Sequence, residues 1–363
     1  MPLVIVAVGV ALLLLLMIRF RLNGFIALIL VALAVGMMQG MPVNKVITSI
    51  KTGVGGTLGS LALIMGFGAM LGKLLADCGG AQRIATTLIA KFGQRHIQWA
   101  VVLTGFTVGF ALFYEVGFVL LLPLVFSIAA SARVPLLYVG VPMAAALSVT
   151  HGFLPPHPGP TAIATLFDAD MGKTLLFGTL LAIPTVILAG PVYARFLKNI
   201  DKPIPEGLYN PKTFSEAEMP SFGVSVWTSL VPVILMALRA VAEMILPKGH
   251  VLLPWAEFFG DPIMATLIAV LIGIFTFGLN RGRSMDEVMN TLGDSIKIIA
   301  MMLLIIGGGG AFKQVLVDSG VDKYIAGLMH ETNVSPIFMA WSIAAVLRIA
   351  LGSATVAAIT AGG

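Results

Sequence analysis

The sequence predicts an all-α polytopic membrane protein made of two oppositely oriented repeats with broken helices or re-entrant hairpins. Three observations point there. Hydrophobic residues make up 58% of the chain and charged ones 11%, where a soluble domain carries about 25% charged residues. Residues 66–80, GFGAMLGKLLADCGG, match residues 307–321, GGGGAFKQVLVDSGV, at Gly66/Gly307, Gly68/Gly309, Asp77/Asp318 and Gly79/Gly320, and Ile84-Ala85 matches Ile325-Ala326 in the same register. Apolar runs are interrupted by Gly and Pro where a simple span would continue. A spanning helix needs about 20 apolar residues, so 363 residues allow roughly ten crossings or re-entrant pieces. The alternating pattern of an outer-membrane barrel is missing.

The first span runs from about Pro2 to Ile18 and the second from Gly24 to Met38. No basic region precedes the first and no small-residue cleavage site follows it, so it reads as a span, not a signal peptide. Arg19 and Arg21 between the two belong in the cytoplasm, which puts the N-terminus in the periplasm. Residues 1–56 form N-terminal scaffold spans, with 41–56 mixed and Gly-rich, and 57–198 form the first repeat. Leu58–Leu75 crosses inward to a basic segment carrying Lys73, Arg83, Lys91 and Arg95. Ile97–Val116 and Phe118–Ala132 are either two crossings or one hairpin spanning about 97–132.

FALFYEVGFVLLLP, residues 110–123, places Glu115 in an almost wholly apolar run interrupted by Gly117 and closed by Pro123. A charge at mid-bilayer costs about 2.5–3.5 kcal/mol even on the lenient scale, so Glu115 belongs to a substrate or proton site, unless it sits in water at a loop tip. THGFLPPHPGP, residues 150–160, is expected to be unwound, because Pro155, Pro156, Pro158 and Pro160 remove donors and clash with preceding turns. Freed main-chain groups there, with Thr150, His151 and His157, can bind a polyhydroxylated ligand; the competing reading is a rigid turn in water. The two histidines lack the spacing of a helical zinc pair, and no acid completes a triad, so no metal is expected.

Thr174–Phe196 is a further span, and 199–221, rich in proline and in charges of both signs, is the cytoplasmic linker between halves. Scaffold spans fill 222–294, as Phe222–Leu246 and Pro262–Leu279 before the basic turn 280–283, with Arg239 and Glu243 expected to form an i,i+4 ion pair. The second repeat, 295–363, carries Gly307–Gly310, which suits close helix packing and lacks the ending of a phosphate loop. FALFYEVG falls on IALGSATV, residues 349–356, with a two-residue shift. Arg348 either holds a carboxylate or reaches the interface, and Gly352, Ser353 and Thr355 offer hydroxyls on a flexible backbone. An odd number of hydrophobic segments separates the starts of the copies, the signature of inverted repeats. The second copy ends before a counterpart of 150–160, so the C-terminal part of the second repeat is expected to be absent.

The net charge of +5 is spread over short turns, which argues for topology rather than nucleic acid. Cys78 is the single cysteine, so an internal disulfide is excluded. No nucleophile, acid–base pair, nucleotide motif or cofactor motif stands out, and no enzyme activity or cofactor is expected.

GFGAMLGKLLADCGGAQRIA, FALFYEVGFVLLLPLVF, THGFLPPHPGPTAIA, GGGGAFKQVL and RIALGSATVAAITAGG together resemble the gluconate:proton symporters, the gluconate permease family. The resemblance covers essentially the whole chain. It implies a bacterial inner-membrane transporter that takes up D-gluconate with protons, in the ion-transporter superfamily of paired hairpins and elevator-like dimers, hence a homodimer in the lipid bilayer. Family members continue past GSATVAAITAGG. For such a ligand, Tyr114, Thr150, His151, Ser353 and Thr355 are expected to bind hydroxyls and Arg348 or amides near Gly352 the carboxylate. Glu115 is expected to carry the proton, with His151 in reserve. A symporter for another sugar or organic acid, and a passive anion channel, are the alternatives.

Overall fold

The structure, a computed structural model, describes residues 2–200, 214–321, 324, 335–351, 358 and 361. Among these residues every regular element is helical. The elements are α1 (Pro2–Leu14), α2 (Gly24–Met38), α3 (Val43–Asp77), α4 (Gly80–Phe92), α5 (Ile97–Ala111), α6 (Tyr114–Ala132), α7 (Leu136–Phe153), α8 (Pro158–Leu166), α9 (Met171–Ile187), α10 (Tyr193–Phe196), α11 (Phe222–Ile245), α12 (Leu253–Phe259), α13 (Pro262–Gly273), α14 (Met285–Asp318) and α15 (Pro336–Leu351). Among the described residues, five helical stretches are long and apolar enough to cross a bilayer, six if the bent helix α3 is counted. This is a multi-pass membrane protein.

Local sequence sets the helix starts. Asn23, Asp170, Ser221 and Asp261 each accept a main-chain N–H in the first turn of α2, α9, α11 and α13, which satisfies a donor the helix leaves open. Pro262 follows Asp261 where its missing N–H does no harm. Ser284 and Glu287 form a reciprocal box at the start of α14, with the Ser284 N–H on Glu287 at 2.7 Å and the Glu287 N–H on Ser284 Oγ at 3.2 Å.

The chain forms two compact units. The first comprises residues 1–63, 165–168 and 298–363. Its apolar core joins Leu13, Leu28, Val31, Val35, Val46, Phe312 and Val315 from α1, α2, α3 and α14. Here α3 and α14 cross at Gly53 and Gly310, where a Cβ on either residue would overlap the other's main chain. The close packing expected of the glycine run is therefore present, and residues 43–56, mixed in sequence, are helical throughout.

The second unit comprises residues 64–164 and 169–297. Its largest core gathers Leu71, Leu74, Leu75, Ile84, Leu112, Leu121, Met143, Leu147 and Phe277. Residues 214–220, the described end of the linker, strap onto α4. Gln82 donates to the Phe214 carbonyl and accepts its N–H, both at 3.0 Å. Arg83 reaches the Glu216 side chain and the Pro220 carbonyl. Arg239 and Glu243 pair at 2.8 Å along α11, as their spacing predicts.

The internal repeat has matching helix ends. Asp77 closes the 35-residue α3 and Asp318 the 34-residue α14. Gly79 and Gly320 follow at φ +76° and +79°, a conformation that favours glycine. Each aspartate also accepts from the residue one turn earlier, Asp77 from Lys73 at 2.8 Å and Asp318 from Gln314 at 3.0 Å.

Candidate substrate site

The site grows out of two interruptions that lie against each other in the second unit. The first separates α5 from α6 at Leu112-Phe113, with Leu112 extended at φ −111°, ψ 138°. This corrects the expectation that the apolar run breaks at Gly117 and closes at Pro123. α6 runs through both positions, and Gly117 is a packing glycine whose added Cβ would meet Leu147 at 3.0 Å.

The second interruption separates α7 from α8 and is shorter than the proline content suggests. Thr150 and His151 form the last turn of α7, and only residues 154–157 leave the helix. Pro158 and Pro160 fall in the first turn of α8, where no intrahelical donor is needed, so helix resumes.

The histidines of the second break close the first. A carbonyl oxygen only accepts, so the 2.6 Å contact of His157 Nε2 with the Gly109 carbonyl puts the proton on Nε2 and leaves Nδ1 bare. His157 is 2% exposed and its Nδ1 has no hydrogen-bond partner among the described residues. His151 Nδ1 accepts the Tyr114 N–H, a first-turn donor of α6, at 3.4 Å. The Phe113 ring lies edge-on to both imidazoles at 6.1 Å, and the two imidazole centroids are 5.1 Å apart. The pair therefore bridges the open end of α5 and the open start of α6.

Of the predicted residues, Tyr114, Thr150 and His151 are brought together. Tyr114 stacks on Phe118 at 5.7 Å and is partly exposed, as is His151. Thr150 is fully buried, and its hydroxyl bonds the Ala146 and Leu147 carbonyls of its own helix. The main chain of Glu115 is the second residue of α6. Its side chain, and all of Gly352, Ser353 and Thr355, lie outside the described residues. Arg348 belongs to the other unit, in the last turn of α15, and is exposed.

Sequence reasoning missed Gly109 and Phe113. At Gly109 an added Cβ would overlap Thr150 Oγ1. The signal was a glycine in the last turn of an apolar arm, which by itself says nothing of its neighbour. Elsewhere in this unit an open groove of about 580 Å³ borders α9, lined by Phe153, Asp170, Lys173 and Phe177 among others. No predicted site residue lines it.

The chain is 87% identical to the high-affinity gluconate transporter of Escherichia coli K12, over 100% of this chain and 83% of that one. It is 62% identical to the Gnt-II system L-idonate transporter of the same strain and 49% identical to the gluconate permease of Bacillus subtilis 168, with the same two coverages. In fold it is similar to the YdaH transporter of Alcanivorax borkumensis, with TM-score 0.61 and 18% identity over 93% of this chain and 80% of that one. MtrF of Neisseria gonorrhoeae gives the same score and identity over 88% and 68%. The model of the GntP family permeases matches residues 1–363, and the chain belongs to that family.

Proposed function

We propose that this permease takes up D-gluconate with protons across the bacterial inner membrane. The observation that carries the reading is the pair of abutting helix breaks, which puts two imidazoles and the start of α6 together in a largely apolar unit. Irregular backbone at membrane depth is tolerated where it lines a cavity or is covered by protein, and transporters place substrate at such broken helices. The names of the relatives at 87% and 49% identity supply the substrate. The relative named for L-idonate at 62% identity makes the wider class of sugar acids the second reading.

Gluconate presents one carboxylate and several hydroxyls. Tyr114 and His151 serve the hydroxyls from the first repeat. Thr150 supports them from behind, its own hydroxyl being held by its helix. Ser353 and Thr355 serve hydroxyls from the second repeat, and the Arg348 guanidinium or the amides near Gly352 hold the carboxylate, a planar fork on a planar anion being the favoured geometry. Glu115 carries the proton and His151 stands in reserve. Elevator-like alternating access carries the site between the two sides of the membrane in a homodimer, with the N-terminus in the periplasm.

In membrane vesicles Glu115→Gln is expected to abolish gluconate accumulation driven by a pH gradient while leaving gluconate exchange measurable. Unchanged accumulation removes Glu115 from the role. Competition by L-idonate and other sugar acids against labelled gluconate separates the two substrate readings.

A further inference from the structure

The first unit holds a second carboxyl, that of Asp318, bonded to a serine hydroxyl that has two acceptors in reach. Ser49 is 1% exposed, and its Oγ lies 2.5 Å from Asp318 Oδ2 and 3.0 Å from the Lys45 carbonyl. Both oxygens are acceptors when the carboxyl is ionised, and a serine hydroxyl has one proton to give. Both contacts are satisfied at once when Asp318 carries a proton: Asp318 donates to Ser49 Oγ, and Ser49 donates to Lys45. When Asp318 gives its proton to water, the Ser49 hydroxyl turns from the carbonyl to the carboxylate. The other carboxyl oxygen, Oδ1, accepts from the Gln314 amide in either state.

Among the described residues no cation forms an ion pair with the Asp318 carboxyl. Asp318 ends α14, where the open carbonyls of a helix leave a negative charge poorly placed. The nearest cation on α3, Lys45, reaches the Asp318 main-chain carbonyl at 3.4 Å, not its carboxyl. α2, which packs here through Gly36 against Val46 and Val315, has no ionisable residue. On α14 itself Lys313 makes no ion pair with Asp318 among the described residues. The repeat-equivalent Asp77 differs, being paired with Lys73 at 2.8 Å.

We infer that Asp318, switched by Ser49, is a second proton-carrying carboxyl of this permease. The inference rests on proton-coupled uptake as proposed above, and it makes the stoichiometry two protons per gluconate, one each on Glu115 and Asp318, the Asp318 proton moving only in a carrier whose Glu115 proton moves too. One proton with one monoanion moves no net charge, so the second makes transport sensitive to membrane potential.

The experiment uses the protein in proteoliposomes, with gluconate accumulation read at an imposed inside-negative potential and no pH gradient. Wild type is expected to accumulate gluconate about fiftyfold at 100 mV, the ratio one elementary charge supports. Asp318→Asn keeps an amide that can donate to Ser49, and it is expected to exchange gluconate normally and respond to a pH gradient while losing the response to potential. Asp77→Asn is expected to keep that response. A wild type driven by a pH gradient but insensitive to potential overturns the inference and leaves proton coupling standing, as does an Asp318→Asn variant that still responds to potential. A wild type that responds to neither gradient overturns the coupling itself. Loss of exchange in Asp318→Asn makes the residue structural and also overturns the inference. A carbonyl stretch of a protonated carboxyl, present in wild type and missing from Asp318→Asn in the infrared difference spectrum, is the expected direct signature.

Discussion

Gly109 has no room for a side chain because Thr150 occupies the space, and Thr150 cannot retreat. It is fully buried and held by two carbonyls of its own helix. The Gly109 carbonyl is meanwhile the acceptor for His157, so a shift of this residue is felt at both breaks. Gly109→Ala therefore overpacks the contact, at a cost of about 1–3 kcal/mol. The expected outcome is a lower unfolding temperature in detergent and weaker gluconate uptake. Thr150→Ala added to Gly109→Ala removes the overlapping hydroxyl and is expected to recover part of both losses. A Gly109→Ala protein as stable and active as wild type would show that α5 and α7 are not locked here.

At the scale of elements, the two breaks hold each other. His157 gives α5 the donor that its last carbonyls lack, and His151 gives α6 an acceptor for an early N–H. His157→Gln keeps an N–H that reaches for the Gly109 carbonyl and is expected to transport at a reduced but measurable rate. His157→Leu leaves that carbonyl unpaired, which costs about 1–3 kcal/mol when buried, and is expected to lose uptake and thermal stability together. Equal behaviour of the two variants in an uptake assay would refute the brace. This pairing also explains what the sequence could and could not reveal. The ends of α3 and α14 were legible because Asp77-x-Gly79 and Asp318-x-Gly320 are local stop signals needing only the chain itself. The break at Leu112-Phe113 was not legible, since histidines some forty residues away stabilise it and neither residue is a helix breaker. Pro123 misled for a related reason. Helices in membrane proteins tolerate proline because neighbouring groups satisfy the freed carbonyl, and α7, α9 and α11 likewise run through Pro142, Pro184 and Pro232. Of the candidate site, the histidine-bearing break was readable as an apolar run punctuated by proline, whereas its contact with Gly109 and Phe113 needed the folded chain.

For the whole molecule, charge and helix length together make a statement about sidedness. α11 has 24 residues, about 36 Å at 1.5 Å per residue, and the stretch from Pro262 to Arg281 has 20, enough for a hydrocarbon core about 30 Å thick. The chain therefore crosses through α11 and returns through α13, and the turn near Lys248 faces the side opposite Gln94 and Asn280. Basic residues cluster beside Gln94 and Asn280, at Lys91 and Arg95 and at Arg281 and Arg283, and the orientation proposed above puts that side in the cytoplasm, where such residues are favoured. The native chain suits a test by thiol labelling. Cys78 is its single cysteine and is buried, and burial pushes the thiol up to about 12 against the smaller pull of the Gly80 amide, so little reactive thiolate forms near neutral pH. Gln94→Cys, Lys248→Cys and Asn280→Cys each replace an exposed residue. In intact cells a membrane-impermeant maleimide is expected to label Lys248→Cys alone, and in inverted vesicles Gln94→Cys and Asn280→Cys, with wild type silent in both. Labelling of all three from the same side would mean that α11 and α13 do not cross, and the inward and outward halves of the transport cycle would then have to be built from other helices.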